Sequence, residues 1–199
     1  MKVLVGVSNR HVHLKQEHLE VLFGEDFTLE KVKDLNQPGQ FMSTSKVTIK
    51  TDKSEFNNVR VVGPVRDYTQ VEISKTDAIK LGLNPPVRTA GDLIGSAPIT
   101  IIGPKGRLDL EYGCIIADRH IHITPKQLKM YGFSGKEKVN VLVSGDKGAI
   151  LFNVHLKVAE ESFFELHLDN DDANAHGIKH GDVLEILEGS DLNVWKFRR

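Results

Sequence analysis

The sequence predicts a mainly β protein with a few short helices, built from two related halves that form small barrels or sandwiches. Three observations carry this. Short runs rich in β-branched residues, bounded by Gly, Pro, Asn and Asp, recur along the 199 residues. Helical stretches are few and brief. Two segments of the first half also reappear, in the same order, in the second.

Taken in order, a first strand over 3–7 runs directly into Arg10-His11-Val12-His13, and a short helix follows over 15–23. Strands are expected over 46–50, 59–62 and 70–74, then a helix over 75–81 that ends at Gly82. Further strands fall at 99–102 and 114–117. A second Arg-His-x-His segment, Arg119-His120-Ile121-His122, precedes a helix over 125–131. Strands at 139–143 and 183–187 and a helix at 171–176 complete the chain.

The duplication rests on two alignments. Ser8-Asn9-Arg10-His11-Val12-His13-Leu14 resembles Ala117-Asp118-Arg119-His120-Ile121-His122-Ile123. Placing Glu72 on His167 brings Asp77 onto Asp172, Ala78 onto Ala173 and Gly82 onto Gly177 without a gap. Each downstream segment reads as a strand, a polar cap, a short helix and a terminating Gly. The hinge between halves is expected near 106–113, and Gly103-Pro104-Lys105-Gly106 is read as a turn.

Composition excludes several classes. A net charge of −1 gives no global field for nucleic acid or an anionic membrane. No apolar run approaches the roughly 18 residues of a spanning helix. Cys114 is the single cysteine, so no intrachain disulfide can form. Its setting reads as a buried strand rather than a nucleophile. A cytoplasmic location is expected.

The chemistry concentrates in the histidines. In H-x-H on a strand, both imidazoles face one side, because strand side chains alternate. The chain does this twice, and the matched downstream position adds a third donor. One set is His11, His13 and Glu72; the other is His120, His122 and His167. Nitrogen-rich ligation with one carboxylate and no thiolate suits zinc, with cobalt, nickel or iron as substitutes. Three protein ligands leave a position open, the pattern of a catalytic site. Counting ligands does not separate one shared ion from two, though six candidates favour two. Arg66 lies close in sequence to Gln70 and Glu72, and its planar fork suits a phosphate or carboxylate. Arg10 and Arg119 point to the opposite strand face and are read as structural ion-pair partners. His18, His155, His176 and His180 are read as surface or packing residues. No P-loop, nucleophile elbow or dinucleotide fingerprint appears.

At these residues the chain resembles the phosphate propanoyltransferases of the propanediol-utilisation type, the metal-dependent phosphotransacylases of bacterial microcompartments. The motifs are Gly6-Val7-Ser8-Asn9-Arg10-His11-Val12-His13-Leu14, Arg60-Val61-Val62-Gly63-Pro64-Val65-Arg66 and Gln70-Val71-Glu72-Ile73-Ser74. Pro85-Pro86-Val87-Arg88, Gly91-Asp92-Leu93-Ile94-Gly95-Ser96, Arg119-His120-Ile121-His122 and His167-Leu168-Asp169-Asn170-Asp171-Asp172-Ala173-Asn174-Ala175 extend the likeness over nearly the whole chain.

The resemblance implies two small β-barrels capped by short helices, with the active site between them. Residues 1–9 would join 118–190 in one barrel, 10–117 would form the other, and 191–199 would be a tail. It implies two zinc ions, one on His11, His13 and Glu72 and one on His120, His122 and His167. Arg66 would bind phosphate, together with Gln70, and coenzyme A would contact Val7, Ser8, Asn9, Lys53, Arg60 and Asn174. The implied reaction is reversible transfer of a propanoyl or acetyl group between coenzyme A and phosphate. A homodimer and association with a microcompartment shell are open to such a chain. The sequence begins almost at its first strand, without the N-terminal encapsulation extension that many such proteins carry.

Overall fold

A computed structural model describes residues 1–187. The segment expected as a tail, 191–199, lies outside the described residues, as do 188–190. β1 (Lys2–Ser8) and β2 (His11–His13) lead into α1 (Gln16–Phe23). β3 (Lys31–Asp34), β4 (Phe41–Lys50), β5 (Glu55–Gly63) and β6 (Gln70–Glu72) precede α2 (Lys75–Leu81). β7 (Val87–Arg88), β8 (Ala97–Ile102) and β9 (Arg107–Ala117) follow. β10 (His120–Ile123) leads into α3 (Pro125–Met130). β11 (Lys138–Val143), β12 (Ala149–Val158) and β13 (Glu165–Asp169) precede α4 (Asn170–His176) and β14 (Val183–Leu187).

The chain divides into two compact units. One is Met1–Ser8 with the chain from Asp118 onward; the other is Asn9–Ala117. The first unit is a closed barrel in the order β1-β13-β10-β12-β11-β14. In the second unit β4, β5, β2, β6 and β9 pair in sequence, and β8 closes the ring by pairing with both β9 and β4. β3 and β7 are added at the edges of this ring. Each barrel has its own core. Val5, Ile121, Val141, Val154 and Leu166 are enclosed in one; Val12, Ile49, Val61, Val71 and Ile101 are enclosed in the other.

The two rings have the same order and the same strand senses. β2 runs parallel to β5 and antiparallel to β6. β10 runs parallel to β12 and antiparallel to β13. β9 runs parallel to β6, as β1 does to β13. The first strand of each repeat therefore sits in the other repeat's barrel. The segment expected as a hinge, 106–113, is instead mostly the first part of β9. Its glycines suggest a linker, but Leu108 and Leu110 alternate with charged residues and pack on the core, while Leu108, Asp109 and Leu110 pair with β8.

Local chemistry sets the helix positions. Ser74 Oγ accepts from the Asp77 N–H at 3.3 Å, and Asp169 Oδ1 accepts from the Asp172 N–H at 2.8 Å. Thr124 and Gln127 form a reciprocal capping box on α3. Gly82 and Gly177 end α2 and α4 in left-handed conformation, with φ of 70° and 68°. No helix among the described residues is long and apolar enough to cross a membrane.

Candidate metal centres

The barrel wall places the histidines. Val12 and Ile121 are fully buried in their cores, so the residues on either side, His11 and His13, His120 and His122, face away from those cores. The ladder then brings the third donor opposite the first. His11 pairs across from Glu72, and His120 pairs across from His167. Residues directly opposite share a face and lie side by side. The result is two compact groups, His11-His13-Glu72 and His120-His122-His167, each with its donor atoms within 4.8 Å of one another.

In the second unit, His11 Nε2 is 3.5 Å from Glu72 Oε2, and His13 Nε2 is 3.9 Å from Glu72 Oε1. Backbone carbonyls select the ring nitrogens. His11 Nδ1 lies 2.8 Å from the Asn9 carbonyl, and His13 Nδ1 lies 3.2 Å from that of Val62. A carbonyl only accepts, so each Nδ1 carries the proton and each Nε2 is left as a lone-pair donor. Burial, then the neighbouring His11 and Arg66 charges, holds His13 well below the usual histidine range. It is therefore neutral near pH 7, the form a metal requires.

The first unit repeats the device. His120 Nδ1 lies 2.9 Å from the Asp118 carbonyl, and the Nε2 atoms of His120 and His122 are 3.2 Å apart. The His167 ring lies 5.2 and 4.6 Å, centre to centre, from those of His120 and His122. His167 Nε2 is also 2.8 Å from Glu165 Oε2.

The donor sets fit zinc: imidazole nitrogens, with Nδ1 of His11, His13 and His120 each turned to a backbone carbonyl and Nε2 of His167 turned to Glu165, one carboxylate, no thiolate, and three protein donors per group.

Arg66 lies in the loop after β5. Its N–H donates to the Leu14 carbonyl at 2.9 Å, and its Nη1 donates to the Tyr68 hydroxyl at 2.9 Å. Its charge reaches His13. Gln70 is fully buried, and both ends of its amide are engaged. Its Nε2 donates to Glu72 Oε1 at 2.5 Å, and its Oε1 accepts from the Gly91 N–H at 2.8 Å. The arginines of the motif turn away from the groups. Arg10 Nε and Nη2 bind the two oxygens of Asp77 at 2.9 and 2.6 Å, and Arg119 Nε donates to Asp172 at 2.9 Å.

The residues expected at coenzyme A divide between the units. Val7, Ser8 and Asn174 belong to the first, where Val7 N–H donates to His180 Nδ1 at 3.3 Å. Asn9, Lys53 and Arg60 belong to the second. Arg60 sits beside His11 in the ladder and donates to the Ser43 carbonyl. Lys53 lies at the β4–β5 hairpin tip, where its Nζ approaches the Ile79 carbonyl near the end of α2 at 3.4 Å. Cys114 is enclosed, and burial pushes its thiol up to about 12. His155, read as a surface or packing residue, pairs with Asp118.

Sequence reasoning missed Glu165 and Tyr68. Glu165 stands two residues before His167, as Gln70 stands two before Glu72, and strand alternation places both on the ligand face.

Comparison with known proteins agrees with these motifs. A model of the family described as phosphate propanoyltransferase matches residues 4–179. A phosphate propanoyltransferase of Thermotoga maritima is 52% identical over 94% of this chain and 89% of its own. One from Lachnoclostridium phytofermentans is 46% identical over 93% and 87%, and one from Clostridioides difficile is 42% identical over 92% and 88%.

Proposed function

This chain belongs to the phosphate propanoyltransferase family and is an acyltransferase, and from that premise we propose that it moves a propanoyl or acetyl group between coenzyme A and inorganic phosphate with two zinc ions. The observation that carries the metal reading is the pair of three-donor groups at matched ladder positions. His11, His13 and Glu72 hold one ion, and His120, His122 and His167 hold the other. When bound, zinc supplies Lewis acidity toward phosphate oxygens, the thioester carbonyl and the departing thiolate.

The remaining work falls to side chains. Arg66 binds phosphate through the guanidinium edge not used by Tyr68, close to His13. Gln70 positions Glu72 through one amide N–H and accepts from the Gly91 N–H, and its second amide N–H is the one proposed to join Arg66 at phosphate. A phosphate oxygen forms a bond to the thioester carbon, the carbon–sulfur bond breaks, and coenzyme A departs as thiolate. Bringing the two substrates together in fixed orientation supplies much of the acceleration. The Arg66 charge favours the negative charge that builds on the acyl oxygen and phosphate. No protein nucleophile is required. Cys114 is unsuited to that role, since almost none of it is thiolate at neutral pH. Val7, Ser8, Asn9, Arg60 and Asn174 are the proposed coenzyme A contacts. Lys53 is the weakest member of that set, because its ammonium turns toward the end of α2.

Thiol release from propanoyl-CoA and acetyl-CoA, with and without phosphate and with and without a chelator, tests the reading. Release that needs phosphate and stops with chelator is expected. Release without phosphate would identify a hydrolase and refute the proposal.

A further inference from the structure

The two donor groups differ in charge if only the six ligands are counted. His11, His13 and Glu72 bring one carboxylate to a dication. His120, His122 and His167 bring three neutral imidazoles and none. A divalent ion among neutral ligands, with no anion close by, is poorly compensated in a partly buried site.

The side chain beside His167 removes this imbalance. Glu165 is 2% exposed, far below what an unconstrained glutamate tolerates. It lies on β13 two residues before His167 and directly across the ladder from His122. Its Oε2 is 2.8 Å from His167 Nε2. The adjacent strand makes room for it at Gly6, which pairs with His167. A Cβ at Gly6 would come within 3.0 Å of Glu165 Cδ and 3.1 Å of His167 Cδ2.

The pseudo-equivalent position in the other barrel is Gln70, across the ladder from His13 and also buried. It bonds Glu72 through its amide nitrogen. Where the third ligand is a carboxylate, its neighbour is a neutral amide that donates. Where the third ligand is an imidazole, its neighbour is a carboxylate that accepts. The pair exchanges roles between the barrels, so each group has one carboxylate on its ligand face; Asp118, with Oδ1 3.9 Å from His120 Nδ1, lies on the far side of that ring and is engaged by His155.

We propose that Glu165 is a positioning residue of the His120-His122-His167 group: it holds the His167 ring and supplies the negative charge this set of imidazoles lacks. The inference rests on the metal reading above, and its test separates the two. Metal content of the native protein and of Glu165→Gln and Glu165→Asp is measured after zinc loading, and zinc affinity by competition with a chromogenic chelator. Unfolding midpoints of the metal-free proteins accompany these measurements. Native protein binding two ions is the premise; native protein binding none overturns the metal reading itself. With the premise met, Glu165→Gln is expected to weaken one of the two ions by about 10- to 100-fold and leave the other at native affinity. Glu165→Asp keeps the charge one methylene further away, and it is expected to fall between. If Glu165→Gln does not fold, Glu165→Asp alone decides. Either variant, folded and holding both ions as tightly as the native protein, overturns the role of Glu165.

Discussion

Replacing Gly6 with Ala should injure the His167 side of the molecule far more than it injures folding. The added Cβ would sit 3.0 Å from Glu165 Cδ, 3.1 Å from His167 Cδ2 and 3.2 Å from Glu165 Oε1. Carbon atoms prefer about 3.5–4.0 Å, so both side chains must withdraw by roughly 0.5 Å. Neither can swing into solvent freely, because Glu165 is almost fully enclosed and bonded to His167. Such overpacking costs about 1–3 kcal/mol. The stiffer unfolded chain returns about 0.4–1 kcal/mol. The net is about 1 kcal/mol, a loss of roughly 2–4 °C in Tm for a chain of this size. Activity is more sensitive. A 1 Å misplacement near reacting groups costs about 10²-fold, and half of that displacement predicts roughly a tenfold loss. Differential scanning fluorimetry and phosphate-dependent thiol release measure the two effects on one preparation. A Gly6→Ala protein with lowered Tm but native kcat/KM and native zinc affinity would refute the view that Gly6 keeps space for His167 and Glu165.

Other outcomes follow from the ion pairs, the thiol and the caps. Arg10→Ala should destabilise by about 1–3 kcal/mol in urea unfolding, because it strands a nearly enclosed Asp77. Arg119→Ala should cost less, since Arg119 makes a single bond to a more exposed Asp172. Cys114→Ala should turn over at the native rate per folded molecule while losing about 1 kcal/mol of stability from the cavity. Native protein should also resist iodoacetamide at pH 8, where a thiol with a pKa of about 12 is almost wholly protonated. Burial raises the Asp169 carboxyl above its usual 3.8, so ionising it costs folding free energy as pH rises from that value through the folded one. Asp169→Asn keeps a competent helix cap, so it should gain stability relative to native protein at pH 7 and lose that advantage near pH 3. Asp169→Ala should lose the cap, about 1 kcal/mol near pH 3, and less than that at pH 7, where it too is spared the cost of ionising the carboxyl.

The groups were legible in the sequence because two periodicities coincide there. Strand alternation puts both histidines of each H-x-H on one face, and the duplication points to Glu72 and His167 as partners. The ladder then sets those residues opposite His11 and His120. Helix bounds were legible for the same local reasons: Ser74 with Gly82, and Asp169 with Gly177, mark both ends. What was not legible depends on tertiary pairing. β12 escaped because Phe152 and Asn153 are both exposed and Asn153 takes φ of 59°, which breaks the alternation that marks a strand. The first part of β9 was masked by its glycines and charges, although Leu108 and Leu110 carried the period. Glu165 reads as an ordinary charged strand residue until the ladder shows it beside His122. The exchange of β1 and β9 between repeats has no signature in either strand, because it is a matter of which edge each one joins.

The central claim is that both donor groups serve one reaction, with phosphate as the acyl acceptor. It is tested most directly by following propanoyl phosphate formation by phosphorus NMR in native protein, His13→Ala and His122→Ala. Each folded variant is expected to retain one zinc ion per chain and to lose at least about 10²–10³-fold in rate. Propanoyl phosphate formed at the native rate by either variant, with its ion gone, would contradict the account.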